Sequence, residues 1–407
     1  MTRHILKLIW NRKRTNLLMM AEILVSFLVL FAVTALGVYT ADNWRRPIGY
    51  SIDNVWAIAV DMKQTSDDDF TARQQETLTQ LLLALKSSPE IVHSAGTMLT
   101  PYEMGSSNSR YSWHKRDVEF GVAEVTDGFR DVLGLQMVEG RWFSHDDDGQ
   151  AYDAVVINED MRREMFGNGP AVGQSISPDR SASDTGEPER ERRIVGVVAA
   201  YREDGEFDGS RNYVIYRKNV DGAHGRRDRP PRNILIKVQP GTTAGFQQRL
   251  VQRLQGVAPE WSFDITTLDE ARDSFNGFAF APLIAVGLVA AFLMLMVALG
   301  LVGVLWQNVT QRTREIGLRR AKGATRLAVR RQILGEIAVM TAIALAVGTA
   351  IVVQLPLLDV IYFVEPHVYA IGLMISLAAI FGLTLACGWY PGYLATRVEP
   401  ADALRYE

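Results

Sequence analysis

The chain has 407 residues, 43 Lys+Arg against 46 Asp+Glu, a net charge of −3 and a single cysteine, Cys387. One cysteine excludes an intrachain disulfide. A mean hydropathy of +0.01 is too high for an ordinary soluble chain and too low for a transporter of many spans.

Residues 1–16 carry Arg3, Lys7, Arg12, Lys13 and Arg14 and precede an apolar run, Leu17 to Tyr39. A bilayer needs roughly 20 residues of helix, and this run meets that length. A cleaved signal peptide would have an apolar core of about 7–15 residues followed by small residues. Leu17 to Tyr39 is longer and ends in bulky groups, so it reads as an anchor. Three further runs qualify: Pro282 to Trp306, Ile333 to Leu355 and Tyr369 to Tyr390. Short segments rich in Arg and Lys stay on the cytoplasmic side. Gln307 to Arg331 holds eight basic residues and one acid, Glu315. Both termini and residues 307–332 are therefore expected in the cytoplasm, with residues 40–281 and a short loop, 356–368, outside. The large outer segment has 28 Lys+Arg against 38 Asp+Glu, so the overall −3 hides two halves of opposite charge.

Within 40–281, two segments show the same order. Val55 to Met62 reads as a strand, Phe70 to Ser87 as an amphipathic helix and Ile91 to Leu99 as a strand. Ile234 to Val238, Thr243 to Gln255 and Trp261 to Thr267 repeat strand, helix, strand. Two β-α-β units packing as one α+β subdomain, about 50–100 with 233–270, are expected. An insertion, about 101–232, separates them. Its clearest pieces are strands at Ala154 to Ile157, Ile194 to Ala199 and Tyr213 to Tyr216, and one helix, Asp160 to Phe166. Asp179 to Arg193 and Asp221 to Arg232 read as polar loops. The fold class is an α+β membrane protein with four transmembrane helices and a large extracytoplasmic domain between the first two.

Enzyme signatures are lacking. Gly167 to Ser175 (GNGPAVGQS) brushes against a phosphate-binding loop, but Gln174 stands where that loop needs Lys. A turn after a short helix is the better reading. The six histidines show no metal-ligand spacing. His145-Asp146-Asp147-Asp148 reads as an acidic solvated loop rather than a cation site. No metal site, cofactor or catalytic residue is expected.

The segment RTREIGLRRAKGATR reads as more than a topology signal. Glu315 and Arg319 are four apart on one helix face, Ile316, Leu318 and Ala321 give it an apolar side, and Gly323 fits a break before the next helix. Such a helix suits docking into a groove on a soluble partner. The later spans carry small residues four apart, which allow close helix approach: Ala344 and Gly348, then Ala378, Gly382 and Ala386. Gly382 is expected to face another helix.

Thr313 to Thr325 (TREIGLRRAKGAT), Val155 to Ile176, Arg192 to Glu203 and the tail Tyr390 to Glu407, taken together with four spans, resemble the FtsX-like permeases, and among them the MacB-type branch of ABC transporter permeases. The resemblance runs almost end to end. It implies two permease chains, identical or paralogous, working with a cytoplasmic ATPase dimer in a bacterial inner membrane. It implies a porter-like subdomain with an inserted sabre-like one, and an FtsX-like permease region, 282–400. ATP and Mg would be bound by the ATPase. MacB carries a fused ATPase before its first span; here the ATPase is expected on a separate chain. The family mechanism is mechanotransmission, in which ATP-driven closure is relayed by the spans to the outer domain for export or extrusion of a substrate. Arg314, Glu315, Gly317, Arg319, Arg320, Lys322 and Gly323 would form the ATPase-coupling element. Lys322 stands where the family usually has an apolar residue, which points to an acidic patch on the ATPase. A signalling or scaffold subunit controlling a periplasmic partner such as a cell-wall hydrolase, and a lipoprotein-release permease, remain open as alternatives. So does a periplasmic adaptor. Membrane lipids are partners; nucleic acid is not.

Overall fold

The computed structural model describes residues 13–62, 72–105, 107–113, 116–176, 191–207, 209, 211–218, 231–311, 318, 321–357 and 364–395. They divide into two units, Asn43–Ala279 and Met1–Asp42 with Phe280–Glu407.

In the first unit, β1 (Val55–Asp61), α2 (Ala72–Lys86) and β2 (Ile91–Thr97) form one β-α-β unit. Strand β9 (Asn233–Val238), α5 (Ala244–Val257) and β10 (Ser262–Thr267) form the other. They interleave in the order β10-β1-β9-β2, with β1 antiparallel to both β9 and β10. Each helix has one apolar stripe: Leu78, Leu81 and Leu85 on α2, and Phe246, Leu250 and Leu254 on α5. Alternation along β1 turns Trp56, Ile58 and Val60 to those stripes, while Val55 and Ala57 face a second core. Strands buried on both faces must be apolar throughout, and VWAIAV is.

The insertion continues the same sheet as β4-β8-β6-β7-β5. Its strands are β4 (Arg116–Val125), β5 (Met137–Gly140), β6 (Tyr152–Asn158), β7 (Glu191–Val198) and β8 (Tyr213–Arg217), with β3 (Asn108–Trp113) paired to β4. The two halves of the sheet meet at a single paired register, Thr97 with Val125. Below that junction their inner faces share one core, in which Leu235 of β9 lies with Val125, Ile215 and Val198 of the insertion. Among its described residues the insertion holds two α-helices where the sequence reading expected one. Helix α4 (Glu159–Phe166) is the expected one, capped by Asn158. The other is α3 (Phe129–Leu133), a five-residue helix ended by Gly134 in the left-handed conformation. A single turn is too short to show a helical period.

Four helices are long and apolar enough to cross a membrane among the described residues. They lie in α1 (Lys13–Arg45), α6 (Leu268–Gln311), α7 (Arg326–Val352) and α9 (Pro366–Ala395); a short α8 (Gln354–Leu357) follows α7. All four are longer than their apolar runs, and two of them extend into the first unit's sequence. Helix α1 continues to Arg45. Helix α6 begins at Leu268, so Pro282, read as the start of a span, lies inside it. The cause is local. The Thr267 hydroxyl accepts from the Glu270 N–H and the Glu270 carboxylate accepts from the Thr267 N–H, each at 3.1 Å, a reciprocal cap that starts the helix early. Leu268 is fully buried in the shared core, with Ala271 and Phe275 packed against it.

In the second unit, Phe27 and Ile23 of α1 pack with Leu301 of α6 and with Ile337 and Ala344 of α7. The Thr34 hydroxyl of α1 lies 2.7 Å from the Ser376 hydroxyl of α9.

Candidate functional site

A buried polar cluster in the first unit surrounds one turn, Arg202–Phe207. Arg202 and Glu206 are each only 5% exposed. The Arg202 guanidinium donates to the carbonyls of Asn43 (3.0 Å) and Arg46 (3.1 Å) at the end of α1, and to that of Glu206 (3.3 Å). The last carbonyls of a helix lack partners within it and carry partial negative charge, so a buried cation fits there. One Glu206 carboxylate oxygen accepts from Arg272 of α6 and the other from the Tyr102 hydroxyl (3.2 Å). Rings close the assembly. Phe207 meets Trp44 of α1 (5.7 Å between centroids) and Phe275 of α6 (6.3 Å), and Tyr102 meets Phe275 (6.1 Å) and Tyr50 (6.3 Å).

The backbone here is held in an unusual state. Tyr102 has φ +65, a conformation costly for a bulky residue. Its N–H donates to the Glu203 carbonyl (3.0 Å). Gly205 (φ +58) lies under the Tyr102 ring, where any Cβ would collide with it. Burial, and next Tyr102 itself, holds the Tyr50 hydroxyl well above its ordinary range. Burial and the Glu206 charge push Tyr102 up to about 12. Both phenols are therefore neutral at physiological pH, and that of Tyr102 donates to Glu206.

The basic segment after α6 is described only at Leu318 and from Ala321 onward; Arg314, Glu315, Gly317, Arg319 and Arg320 lie outside the described residues. The Lys322 N–H donates to the Leu318 carbonyl (3.1 Å). Gly323 then takes φ +95, which a side chain would strain. Thr325 caps α7, its hydroxyl accepting from the Ala328 N–H (3.2 Å). The sequence Lys-Gly-Ala-Thr is thus a helix stop and restart. Lys322, Arg326 and Arg331 are exposed, whereas Arg330 stacks on the Trp389 ring of α9 with its Cζ 3.3 Å from the centroid.

Two family models cover most of the chain. Residues 17–253 match the MacB-like periplasmic core domain and residues 287–400 the FtsX-like permease C-terminal region. The chain belongs to the MacB/FtsX-like family of ABC transporter permeases. An uncharacterized ABC transporter permease of Bacillus subtilis, YvrN, is 29% identical over 80% of this permease and 78% of its own length. The macrolide export ATP-binding/permease protein MacB of Chromobacterium violaceum is 27% identical over 76% of this chain but only 46% of its own. This permease thus spans less than half of that relative. The crystal structure of the periplasmic region of MacB from Actinobacillus actinomycetemcomitans aligns with 56% of this chain and 94% of its own, at 16% identity and a TM-score of 0.38.

Of the small residues singled out for helix packing, Ala344 and Gly348 are buried, and a Cβ on Gly348 would sit 2.5 Å from the Phe27 ring of α1. Ala378, Gly382 and Ala386 are exposed on α9, and nothing lies within 4 Å of a Cβ on Gly382. The face of α9 that packs within this permease is instead Gly372, Ser376, Ile380, Thr384 and Gly388, all buried. The four-residue period read from the sequence is present, two residues out of phase. A row of small side chains marks where a helix can approach closely, while the hydroxyl pairing of Thr34 with Ser376 decides which row is used.

The GNGPAVGQS segment is a turn after α4. Two N–H groups at its centre are already bound, Val172 to the Glu139 carboxylate (3.3 Å) and Gly173 to the Ile194 carbonyl (2.8 Å). The acidic run is likewise committed to the protein. Asp147 accepts both Arg141 terminal nitrogens (2.5 and 2.8 Å), and Asp148 accepts from Arg217 (2.5 Å), which also clasps Asp127 (2.6 and 2.8 Å). Burial alone would raise Asp147, but the Arg141 bond and the Ser144 N–H hold it below its ordinary 3.8; Arg217 does the same for Asp148 against a smaller burial cost. Arg162 lowers Glu159 below 4.5. A carboxylate lowered in the folded state stabilises it above the unfolded pKa and loses that contribution as pH falls. The melting temperature is therefore expected to hold from neutrality to about pH 5 and to drop as pH falls from these ordinary values through the lower folded ones. Combining Arg141→Met with Arg217→Met should flatten the acid limb; an unchanged limb in a calorimetric pH series would refute this assignment.

The turn Arg202–Phe207 was outside the sequence-level candidates. Its residues have no period and no spacing of ligands. The only available signal was a charged stretch, YREDGEF, directly after the apolar strand β7 and Ala199-Ala200.

Proposed function

We propose that this permease is the membrane subunit of a MacB-type ABC transporter, relaying ATP-driven closure of separate cytoplasmic ATPase subunits to its α+β domain for export or extrusion of a substrate. The observation that carries this reading is α6. It runs for 44 residues, with Pro282 inside it. At 1.5 Å per residue that is about 66 Å, roughly twice the hydrocarbon thickness of a bilayer. Its first turns are part of the core of the α+β domain and its body is an apolar span. In this reading α6 is the element shared by the two parts, and the relay needs no polar path between spans.

In this reading ATP and Mg are held by the ATPase dimer and this chain performs no catalysis. A second permease chain, identical or paralogous, completes the membrane part. The α+β domain is periplasmic and the basic segment and both termini are cytoplasmic, in a bacterial inner membrane, as the Arg-rich short segments favour. Arg314, Glu315, Gly317, Arg319, Arg320, Lys322 and Gly323 form the ATPase-coupling element. The exposed Lys322 steers the encounter in a salt-sensitive way, while the helix break at Gly323 sets the angle at which the element is presented.

The test combines Glu315→Lys with Gly323→Leu. A left-handed residue other than glycine costs about 1–2 kcal/mol, and each 1.4 kcal/mol is about tenfold in affinity. Co-purification of the ATPase with the permease, and ATP-dependent activity, should each fall at least about tenfold, with the circular dichroism of the α+β domain unchanged. Retention of both would leave the segment as a topology signal and remove the reading's main support.

A further inference from the structure

We infer that the turn Arg202–Phe207 is a fixed joint that ties the ends of α1 and α6 to each other and to the sheet, with Arg202 and Glu206 as its positioning residues. Its role in transport rests on the relay reading above; its existence as a joint does not.

Three observations converge. First, one short turn holds both helices by charge, Arg202 on the carbonyls of Asn43 in α1 and of Arg46 just after it, and Glu206 on Arg272 of α6. Second, the same turn holds both by ring contact, through Phe207 to Trp44 and to Phe275. Third, the support behind the turn is strained, with Tyr102 at φ +65 and its ring against Gly205. Such strain persists only where surrounding contacts over-determine the conformation.

Charge in this place needs a reason. Buried ion pairs are expensive to desolvate, and well-packed apolar side chains often stabilise a fold as well or better. An apolar clamp, however, allows one helix to slide along the other, because dispersion and burial have no direction. Hydrogen bonds to two named carbonyls and one carboxylate do have direction. Arg202 binds the Asn43 carbonyl in the last turn of α1, which also accepts from the Arg46 N–H, and the Arg46 carbonyl just beyond the helix, so this end cannot turn without breaking both bonds. Arg272 is bound from the same turn, so the first turns of α6 move with the end of α1. The prediction is that both helix ends and the sheet move as one body.

Paired spin labels in the full chain, purified into nanodiscs in a Cys387→Ser background, test this without any ATPase. Arg45→Cys with Val138→Cys reports α1 against the sheet. Phe278→Cys with Val138→Cys reports α6. All three positions are exposed. Narrow distance distributions are expected in both pairs. Arg202→Met should cost the first pair its narrow peak, and Arg272→Met the second. Arg202→Lys, which keeps the charge but lacks the guanidinium fork, should broaden the first pair partly and is read if the Met variant does not fold. Leu254→Ala, buried on the far face of the sheet, should lower the melting temperature yet leave both peaks narrow. Narrow peaks in Arg202→Met, Arg202→Lys and Arg272→Met would overturn the joint. So would equal broadening in Leu254→Ala, which would make the turn a contributor to stability only. ATPase binding is measured separately on the wild-type chain; its failure would remove the transporter reading and leave the joint standing.

Discussion

Gly348→Leu is expected to abolish correct packing of the membrane-spanning helices. A Cβ at that position would lie 2.5 Å from one carbon of the Phe27 ring and 2.7 Å from another, with Leu24 at 3.1 Å. Phe27 is fully buried and cannot swing aside. Overpacking a dense core by a few methylenes typically costs about 1–3 kcal/mol, and more where the neighbour is rigid. Two of the helices would have to separate along their contact, so loss of monodisperse protein on size exclusion is the expected result. Gly382→Leu is the matched control. Its Cβ meets nothing within 4 Å, so the chain should fold and purify as wild type. Equal behaviour of the two variants would contradict the packing described for α7 and α1.

Asn158→Leu should be the most damaging single change in the α+β domain. The side chain is 1% exposed. Its carbonyl oxygen accepts from the N–H groups of Met161 (3.1 Å) and Tyr213 (3.0 Å), and its amide donates to the Arg211 carbonyl (2.7 Å). It therefore caps α4 and holds β8 against β6 at once. Leucine is close in size but leaves three backbone groups without partners. Each buried unsatisfied group costs about 1–3 kcal/mol. A total of about 4 kcal/mol would lower the melting temperature by roughly 10 °C for a domain of this size. Asn158→Asp keeps the two accepted bonds and should lose less. A shift below about 2 °C for Asn158→Leu in thermal unfolding would show that water or local relaxation satisfies those groups.

Much of the architecture follows from local pattern. A span is a long apolar run, because no backbone polar group can be left open in hydrocarbon, and the four runs are plain in the sequence. The strands and helices of the two β-α-β units follow from periods of 2 and 3.6, as in VWAIAV of β1 and the Leu78, Leu81, Leu85 stripe of α2. The helix break at Gly323 needs only one residue that accepts a positive φ, followed by a threonine cap.

Other features depend on partners distant in sequence. The interleaving of β1 between β9 and β10 joins residues far apart in the chain, and nothing local specifies it. The early start of α6 is hidden because LDEARDSFNGFAFA is not an apolar run; Leu268 and Phe275 are core residues only once the shared face of the sheet exists. The row of α9 that packs is decided by the Thr34 hydroxyl, which pairs with Ser376, rather than by the small residues at Ala378, Gly382 and Ala386. The turn at Arg202 and Glu206 shows the same dependence most fully. Charged residues read alone belong to a solvated loop, since a lone buried charge is prohibitive. Only the fold brings the α1 carbonyls, Arg272 and Tyr102 around them, and that company makes their burial possible.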